Sequence, residues 1–253
     1  RSRTAGSSSR RANRLMPAKP TAGAEDRAPE VRQMFNEIAP RYDRANRILS
    51  LGLDQSWRKA AIAALGENGK GRVLDLCSGT LDLTRMLLDH GAAHVTAADF
   101  SEVMLATGAP KIRDGEPVDI VCADARDLPL ETASVDAIIC GFGLRNVPEL
   151  HKAVAECSRV LKPGGTLVVL DFFQPVGLIP RLLQSTYNRL VVPLVGGIIT
   201  GFRDAYTYLN QSIDSFCSAG EFVDQLDDAG IRAEHRTMFP PVAHLIAGVR
   251  SDD

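Results

Sequence analysis

Apolar and polar residues along the chain follow two alternating periodicities. Short apolar runs bounded by turn residues predict buried strands, and stretches with helical spacing of apolar residues follow most of them. The first five predicted strands lie at residues 72–77, 94–98, 118–122, 135–140 and 166–170. Because strands and helices alternate, the pattern predicts an α/β fold with a doubly wound, mainly parallel sheet.

The predicted helices precede and separate these strands. They span residues 30–51, 54–65, 81–90, 149–161, 179–190 and 219–229, and another begins at the N-cap residue Ser101. Pro40 should break the first of them into two pieces. Two late strands, at residues 232–238 and 242–249, have no helix between them. They predict a hairpin that completes a seven-stranded sheet with an antiparallel edge strand.

These elements suggest one domain over residues 29–250, with an N-terminal helical cap over 29–68 and a helical insertion over 174–216. Residues 1–28 are expected to be a disordered basic leader, since the first 24 are rich in Arg and Ser and contain no acid. This composition also fits an organellar transit peptide over residues 1–24. Two alternatives for these residues remain: translation starts naturally at Met16, or the segment is a tail without function.

Composition excludes several classes of function. The formal net charge of −2 gives no basic excess, which argues against a nucleic-acid partner. The five cysteines are not at metal-ligand spacing, so no metal site is expected. The most apolar stretch, residues 190–200, is too short to cross a membrane.

Candidate binding residues follow the strands at the edge where open α/β sheets bind ligands. The candidates are Asp75, Gly79, Thr80, Asp99, Asp124, Ala125 and Gly141. Asp99 could accept hydrogen bonds from ribose hydroxyls, and Asp124 from an adenine amine. The carboxylate of Asp75 would repel a phosphate, so a cationic nucleoside, S-adenosylmethionine (SAM), fits better than NAD. The alternative of an NAD-dependent oxidoreductase is disfavoured, because the turn after the first strand has no Gly-x-Gly-x-x-Gly motif.

Longer motifs carry a more specific resemblance. They include Phe35-x-x-Ile-Ala-Pro-Arg-Tyr-Asp43, Asp54-x-x-Trp57, Phe142-Gly-Leu-Arg-Asn-Val147 and Tyr206-x-Tyr-Leu209. Over residues 31–230 the chain resembles the quinone C-methyltransferases of ubiquinone and menaquinone biosynthesis. The resemblance implies a Rossmann-like fold, SAM as cofactor with Met104 in its site, and methylation of a ring carbon of a prenylated hydroquinone. Demethylmenaquinol is the favoured acceptor, and a methoxy-benzoquinol remains open.

The same resemblance implies roles for four further residues. Arg145 would lie near the acceptor phenol and stabilise its phenolate, with Asn146 beside it. Tyr42 and Asp43, on the helical cap, would close over the substrate. A structural salt bridge to a loop carboxylate is the alternative for Arg145.

The implied partners follow from the substrate. The apolar residues 178–199 would hold the isoprenoid tail and bring the enzyme to the inner membrane as a peripheral protein of the cytoplasm. An organelle is the alternative location if residues 1–24 are a transit peptide. A homodimer is also considered. Two other functions remain open: methylation of another small phenolic or lipid, and a non-catalytic scaffold.

The chain departs from the family pattern at two positions near the site. Leu81 stands where a second glycine is usual, and should either crowd the methionine end of SAM or require a backbone with positive φ. Asp171-Phe-Phe173 stands where the family has Glu-x-Ser.

Overall fold

The computed structural model describes residues 28–177, 208 and 211–252. The predicted leader lies outside this part except for Ala28, which begins the first helix. Most of the insertion expected over 174–216 also lies outside the described residues. This applies to the helix predicted at 179–190 and to the apolar residues 178–199.

The seven strands form one sheet in the order β3-β2-β1-β4-β5-β7-β6. Their bounds are β1 Arg72–Leu76, β2 His94–Asp99, β3 Val118–Cys122, β4 Val135–Gly141, β5 Leu161–Asp171, β6 Ile231–Thr237 and β7 His244–Arg250. Strands β1 to β5 are parallel, and β7 is antiparallel to both β5 and β6. The doubly wound sheet and the late hairpin are therefore confirmed, with the antiparallel strand lying one place inside the edge strand β6.

Seven α-helices have both ends within the described residues, and residues 208 and 211–215 are helical as well. Their bounds are α1 Ala28–Ile38, α2 Tyr42–Leu49, α3 Leu53–Ala64, α4 Asp82–His90, α5 Glu102–Gly108, α6 Leu150–Val160 and α7 Ala219–Asp228. Pro40 lies in a single 3₁₀ turn, Ala39–Arg41, between α1 and α2, as its missing N–H predicts. Ser101 caps α5 by accepting a hydrogen bond from the backbone N–H of Met104.

The fifth strand begins earlier than the sequence predicted. Val135 pairs with Leu161 and Ala137 pairs with Thr166, so four residues of β5 bulge out opposite one residue of β4. Residues 162–165 were interpreted as a turn before the strand because they contain Pro and two Gly. They do turn, but pairing on both sides of them makes the turn an irregularity within β5.

Alternate residues of the central strands enter two separate cores, one on each face of the sheet. Leu74 and Ile138 pack with α6 and α7, whereas Val73 and Ile139 pack with α3 and α4. Burial on both faces leaves the carboxyl edge of the parallel strands as the place where a ligand can approach. Within the described part of the chain, no helix has the length and apolarity to cross a membrane.

Candidate active site

A cleft of about 910 Å³, a volume that includes open solvent at its mouth, lies at the carboxyl ends of β1 to β4. Nine predicted site residues line it: Tyr42, Gly79, Thr80, Asp99, Met104, Asp124, Ala125, Gly141 and Asn146. Three predicted residues do not: Asp43, Asp75 and Arg145. Val31 and Phe35 of α1 also line the cleft, which places the predicted helical cap over it.

Asp99 connects the ends of β1 and β2. Its Oδ2 accepts a hydrogen bond from the backbone N–H of Gly79 at 2.8 Å, and its Oδ1 accepts one from the N–H of Ser101 at 2.9 Å. Burial raises the pKa of Asp99, and these backbone donors oppose the rise. Because each carboxylate oxygen can accept a second hydrogen bond, Asp99 can still receive the hydroxyls of a ribose.

Three buried polar groups at the β1 end of the cleft have atoms without a hydrogen-bond partner. These atoms are Oδ1 of Asp75, Oγ of Ser78 and Nε of Arg58. The other oxygen of Asp75 accepts a hydrogen bond from Oγ1 of Thr84 at 2.6 Å, and burial raises the pKa of this carboxyl group to about 7. Buried polar atoms normally have partners, so these three point to a ligand.

The three groups fit the amino-acid end of SAM. Arg58 and Ser78 line the cleft and offer donors to an α-carboxylate. Asp75 is fully buried next to the lining residue Leu76, and its negative charge favours an α-ammonium. The sequence identified Asp75 but missed Arg58, because a single arginine on a helix far from the strand ends carries no motif of its own.

Arg126 is a second cleft residue that the sequence did not identify. Its Nη2 lies 2.7 Å from Oδ2 of Asp124, and its Nη1 lies 3.1 Å from Oε2 of Glu149. The guanidinium lowers the pKa of Asp124. Asp124 therefore reaches the cleft as an ionised carboxylate that Arg126 holds in place, and its contact with an adenine amine remains a prediction.

Arg145 forms a buried ion pair with Asp171, the last residue of β5. Its Nη1 lies 2.6 Å from Oδ1 of Asp171 and donates to the backbone carbonyl of Phe142, also at 2.6 Å. The guanidinium stacks over the ring of Phe172 with 5.6 Å between Cζ and the ring centroid. The structural salt bridge that the sequence left as an alternative is thus present, but its carboxylate belongs to the end of a strand and not to a loop. Arg145 lies beneath the lining residue Phe142. Asp171 is one of the two positions near the site at which the sequence comparison predicted a departure from the family pattern.

Asn146, next in the chain, does line the cleft. Its Oδ1 accepts a hydrogen bond from the Tyr208 hydroxyl at 3.1 Å. In the helical cap, the ring of Tyr42, which also lines the cleft, lies edge-on to that of Phe35, with 6.0 Å between centroids. The hydroxyl of Tyr208 fixes the orientation of the Asn146 amide, whose nitrogen can then donate to a ligand.

Asp43 attaches the helical cap to the loop after β1. Oγ1 of Thr80 donates a hydrogen bond to it, and Nζ of Lys111 lies 2.5 Å from both Asp43 and Asp82. Asp43 thus closes the cap through protein contacts, while Tyr42 is the cap residue that reaches the cleft. Lys111 lies in a short 3₁₀ turn and had no signal in the sequence.

Leu81 does not enter the cleft. It is fully buried among Ala97 and Leu105, and its φ is +64°. A Cβ on Gly108 would lie only 2.7 Å from Cγ of Leu81, so this glycine leaves the space that the leucine fills. Of the two sequence expectations, crowding of the methionine end is wrong and the positive φ is confirmed.

The chain is similar to characterised proteins over most of its length. Residues 21–242 match the model of the ubiE/COQ5 methyltransferase family. The ubiquinone/menaquinone biosynthesis C-methyltransferase of Syntrophotalea carbinolica is 40% identical over 225 residues, which cover 88% of this chain and 94% of the relative. The demethylmenaquinone methyltransferase of Thermus thermophilus is 39% identical over 219 residues, which cover 86% of this chain and all of the relative.

Solved structures share the fold at lower identity. The phosphoethanolamine N-methyltransferase 2 of Haemonchus contortus, solved with SAM, has a TM-score of 0.60 and 15% identity, covering 77% of this chain and 52% of that one. The cyclase SpnF has a TM-score of 0.67 and 16% identity, covering 88% of this chain and 96% of that one. The chain belongs to the ubiE/COQ5 methyltransferase family and is an S-adenosylmethionine-dependent C-methyltransferase.

Proposed function

We propose that the chain methylates a ring carbon of a prenylated hydroquinone, converting demethylmenaquinol to menaquinol. The observation that carries this proposal is the buried Arg145–Asp171 pair under the Phe142 wall of the cleft, with Asn146 beside it on the surface. This part of the cleft combines an aromatic wall and an oriented amide with a buried ion pair directly behind them. A hydroquinone offers the matching aromatic ring and phenol.

Bound SAM would supply an activated methyl group, and the protein would hold it with residues of α3, of α5 and of the ends of β1 to β4. In the proposal, Arg58 and Ser78 bind the carboxylate, Asp75 favours the ammonium, and Asp99 accepts the ribose hydroxyls. Gly79, Thr80, Met104, Ala125 and Gly141 complete the cofactor site, and Asp124 meets the adenine. Every one of these groups is positioned before the ligand arrives, which lowers the cost of binding.

The acceptor end favours the ionised phenol. Loss of the phenolic proton places negative charge on the neighbouring ring carbon, which makes that carbon the nucleophile. In the proposal, the guanidinium of Arg145 is the cationic end of its ion pair with Asp171 behind the cleft wall, and it favours the phenolate from there; it cannot itself be a base because it stays protonated. Asn146 donates to the phenol oxygen, and Tyr42 covers the ring from the cap.

Location and partners belong to the same proposal. The enzyme works in the cytoplasm at the surface of the inner membrane, where the prenylated quinol dissolves. Residues 178–199, outside the described part, would hold the isoprenoid tail. A homodimer remains compatible with this arrangement.

An assay with two acceptors tests the proposal. The chain is incubated with SAM and a short-prenyl demethylmenaquinol or methoxy-benzoquinol, each kept reduced, and the methylated product is measured by mass spectrometry. We expect product from demethylmenaquinol and none from the oxidised quinone, which has no phenol to ionise. Turnover of the methoxy-benzoquinol alone would indicate that the enzyme acts in ubiquinone biosynthesis and not in menaquinone biosynthesis. SAM binding without turnover of either quinol would contradict the proposal.

A further inference from the structure

The first turn of α3 carries Asp54, a residue of the Asp54-x-x-Trp57 motif to which the proposed function gives no role. Asp54 is only 4% exposed, which is unusual for a carboxylate. Its Oδ1 accepts a hydrogen bond from Oγ of Ser50 at 2.8 Å, and its Oδ2 accepts one from Nε2 of Gln55 at 2.9 Å. The carboxylate is therefore held in place by one residue before the helix and one within it.

Arg58 lies one helical turn after Asp54 and faces this carboxylate. Its Nε is 3.8 Å from Oδ2 of Asp54, and both side chains are buried. This distance is too long for a hydrogen bond, so the attraction is between the two charges. Within the part of the chain that the structure describes, no residue accepts a hydrogen bond from the Arg58 guanidinium. Asp54 thus restrains the guanidinium while leaving its N–H groups free to donate.

The Arg58 guanidinium lies where the two ends of the cleft meet. Its Cζ is 5.5 Å from the centroid of the Phe142 ring, and a Cβ on Gly141 would lie 3.5 Å from its Nη1. It also acts on Asp75 at the cofactor end. Burial raises the pKa of Asp75 to about 7, and the hydrogen bond from Thr84 and the positive charge of Arg58 oppose this rise. A shift of Arg58 would therefore change the cofactor end of the cleft.

A long arginine side chain loses conformational entropy when a ligand fixes it, which weakens binding. A carboxylate four residues earlier on the same helix can fix the side chain before the ligand arrives. Trp57, the other residue of the motif, anchors the helix itself, because its Nε1 donates to the backbone carbonyl of Phe239 at 3.0 Å. The motif accordingly fixes both the helix and the arginine that follows the tryptophan.

We propose that Asp54 is a positioning residue for the cofactor: it holds the Arg58 guanidinium beside Phe142 in the orientation that binds the carboxylate of SAM. The inference rests on the proposed function, which assigns that carboxylate to Arg58. Asp54 does not line the cleft, and its own charge would repel a carboxylate. Its contribution to SAM binding must therefore pass through Arg58.

The sign of the change in Asp54→Asn tests the inference. If Arg58 stayed in place, loss of a negative charge would strengthen the attraction for the SAM carboxylate. If Asp54 positions Arg58, the guanidinium shifts and the affinity for SAM, measured by calorimetry, should fall by about ten-fold. Ser50→Ala keeps the charge and removes one hydrogen bond to it, so affinity should fall by about three-fold. Glu67→Gln, which removes an exposed carboxylate after α3, is the matched control and should bind as the wild type does.

A ligand without the amino-acid part separates positioning from a general loss of structure. 5′-Methylthioadenosine shares the nucleoside and the sulfur of SAM but has no carboxylate. Asp54→Asn should bind it within about two-fold of the wild type, since Arg58 has no group to meet on this ligand. An equal loss for both ligands would overturn the inference, because Asp54 would then support the fold of the whole cleft.

A double variant shows whether Asp54 acts through Arg58. In the Arg58→Gln background, Asp54→Asn should change the affinity for SAM by less than about two-fold, because the residue that it positions is absent. A further ten-fold loss in this background would contradict the inference.

The pH profile of SAM binding supplies a readout that a purely structural role would not move. Arg58 and Asp99 are the charged groups that act on Asp75, the first lowering its pKa and the second raising it. With Arg58 displaced in Asp54→Asn, the pH at which SAM affinity falls should shift upward. A downward shift would show that Arg58 has stayed in place, and would overturn the inference.

The same measurements distinguish this inference from the proposed function. Calorimetry contains no quinol, so SAM binding that depends on Asp54 in an enzyme that methylates no quinol would contradict only the proposed acceptor. Arg58→Gln with the SAM affinity of the wild type would overturn both the assignment of the carboxylate to Arg58 and the inference. A loss in Arg58→Gln, together with unchanged or higher affinity in Asp54→Asn, would overturn the inference alone.

Discussion

The two ends of the cleft differ in how completely their buried charged groups are paired. At the β1 end, Oδ1 of Asp75 and Nε of Arg58 have no hydrogen-bond partner, although Nε of Arg58 lies 3.8 Å from Oδ2 of Asp54, and the pKa of Asp75 rises to about 7. At the β4 end, Arg145 and Asp171 neutralise each other at 2.6 Å, and only Nε of Arg145 is unpaired. One end is incomplete until a charged ligand binds, and the other is already paired.

The difference indicates what each charge is for. A buried carboxylate without a full set of partners lowers the stability of the fold. Such a group is retained where binding of a ligand offsets this cost. A buried ion pair contributes little net stability but fixes the position of both partners. Asp75 should thus matter mainly for SAM affinity, whereas Arg145 should matter for the rate and for the integrity of the β4 loop.

Breaking the pair at the β4 end should have the largest effect. Arg145→Gln leaves Asp171 buried without its cation, which should lower the free energy of unfolding by about 3–5 kcal/mol. Loss of the positive charge near the phenol should lower kcat by about 10²–10³. Urea denaturation and steady-state kinetics measure the two effects.

The double variant Arg145→Gln with Asp171→Asn separates stability from catalysis. Because no charge is then left unpaired, it should recover most of the lost stability while kcat stays low. If kcat recovered together with stability, Arg145 would have only a structural role.

Neutralising Asp75 at the β1 end should raise stability, whereas breaking the ion pair at the β4 end lowers it. Asp75→Asn removes the charge that favours the ammonium of SAM, and the dissociation constant measured by calorimetry should rise by about 10–100-fold. The same variant should be more stable than the wild type at neutral pH, by on the order of 3 kcal/mol, because the wild type must bury an ionised carboxylate.

The pH dependence of this gain follows from the raised pKa. Near pH 3, Asp75 is largely protonated in both the folded and the unfolded chain, so wild type and variant should have similar unfolding free energies. As pH rises towards 7, Asp75 ionises in the unfolded chain before it does so in the folded chain. The unfolding free energy of the wild type therefore decreases relative to that of the variant, and above pH 7 the difference is constant. A variant less stable than the wild type at pH 8 would contradict the pKa assigned to Asp75.

SAM affinity of the wild type should itself depend on pH. Asp75 must be ionised to favour the ammonium, so binding should weaken by roughly eight-fold from pH 7.5 to pH 6 as the carboxyl group takes up a proton. Isothermal titration at the two pH values measures this effect. Asp75→Asn is the control and should show little of the dependence.

The smallest functional effect is expected at Leu81, which lies outside both ends of the cleft. Leu81→Gly relieves a strained backbone but leaves a cavity beside Gly108, so the free energy of unfolding should fall by about 2 kcal/mol. The dissociation constant of SAM should stay within about two-fold. Leu81→Ala creates a similar cavity and keeps the strain, so it should be about 1 kcal/mol less stable than Leu81→Gly. A large change in SAM affinity would show that Leu81 shapes the cleft after all.

The sequence alone determined the order of strands and helices, because hydrophobic periodicity depends only on which faces are buried. It also determined which strand ends carry the ligand groups, since parallel strands all present their carboxyl ends at one edge. Asp75, Gly79 and Asp99 were predicted in this way, whereas Asn146 was predicted from the resemblance to the family. Even the positive φ at position 81 followed from the place of a missing glycine.

Only the tertiary structure decided what those residues contact. Arg58 lies on a helix outside every strand-end motif, and Lys111 in a short turn, yet packing brings them to the cleft and to Asp43. The partner of Arg145, Asp171, is 26 residues away at the end of β5. The sequence marked this position only as a departure from the family pattern. Ion pairing and burial depend on distances between segments far apart in the chain. Periodicity describes each segment by itself, so these contacts could not be read from it.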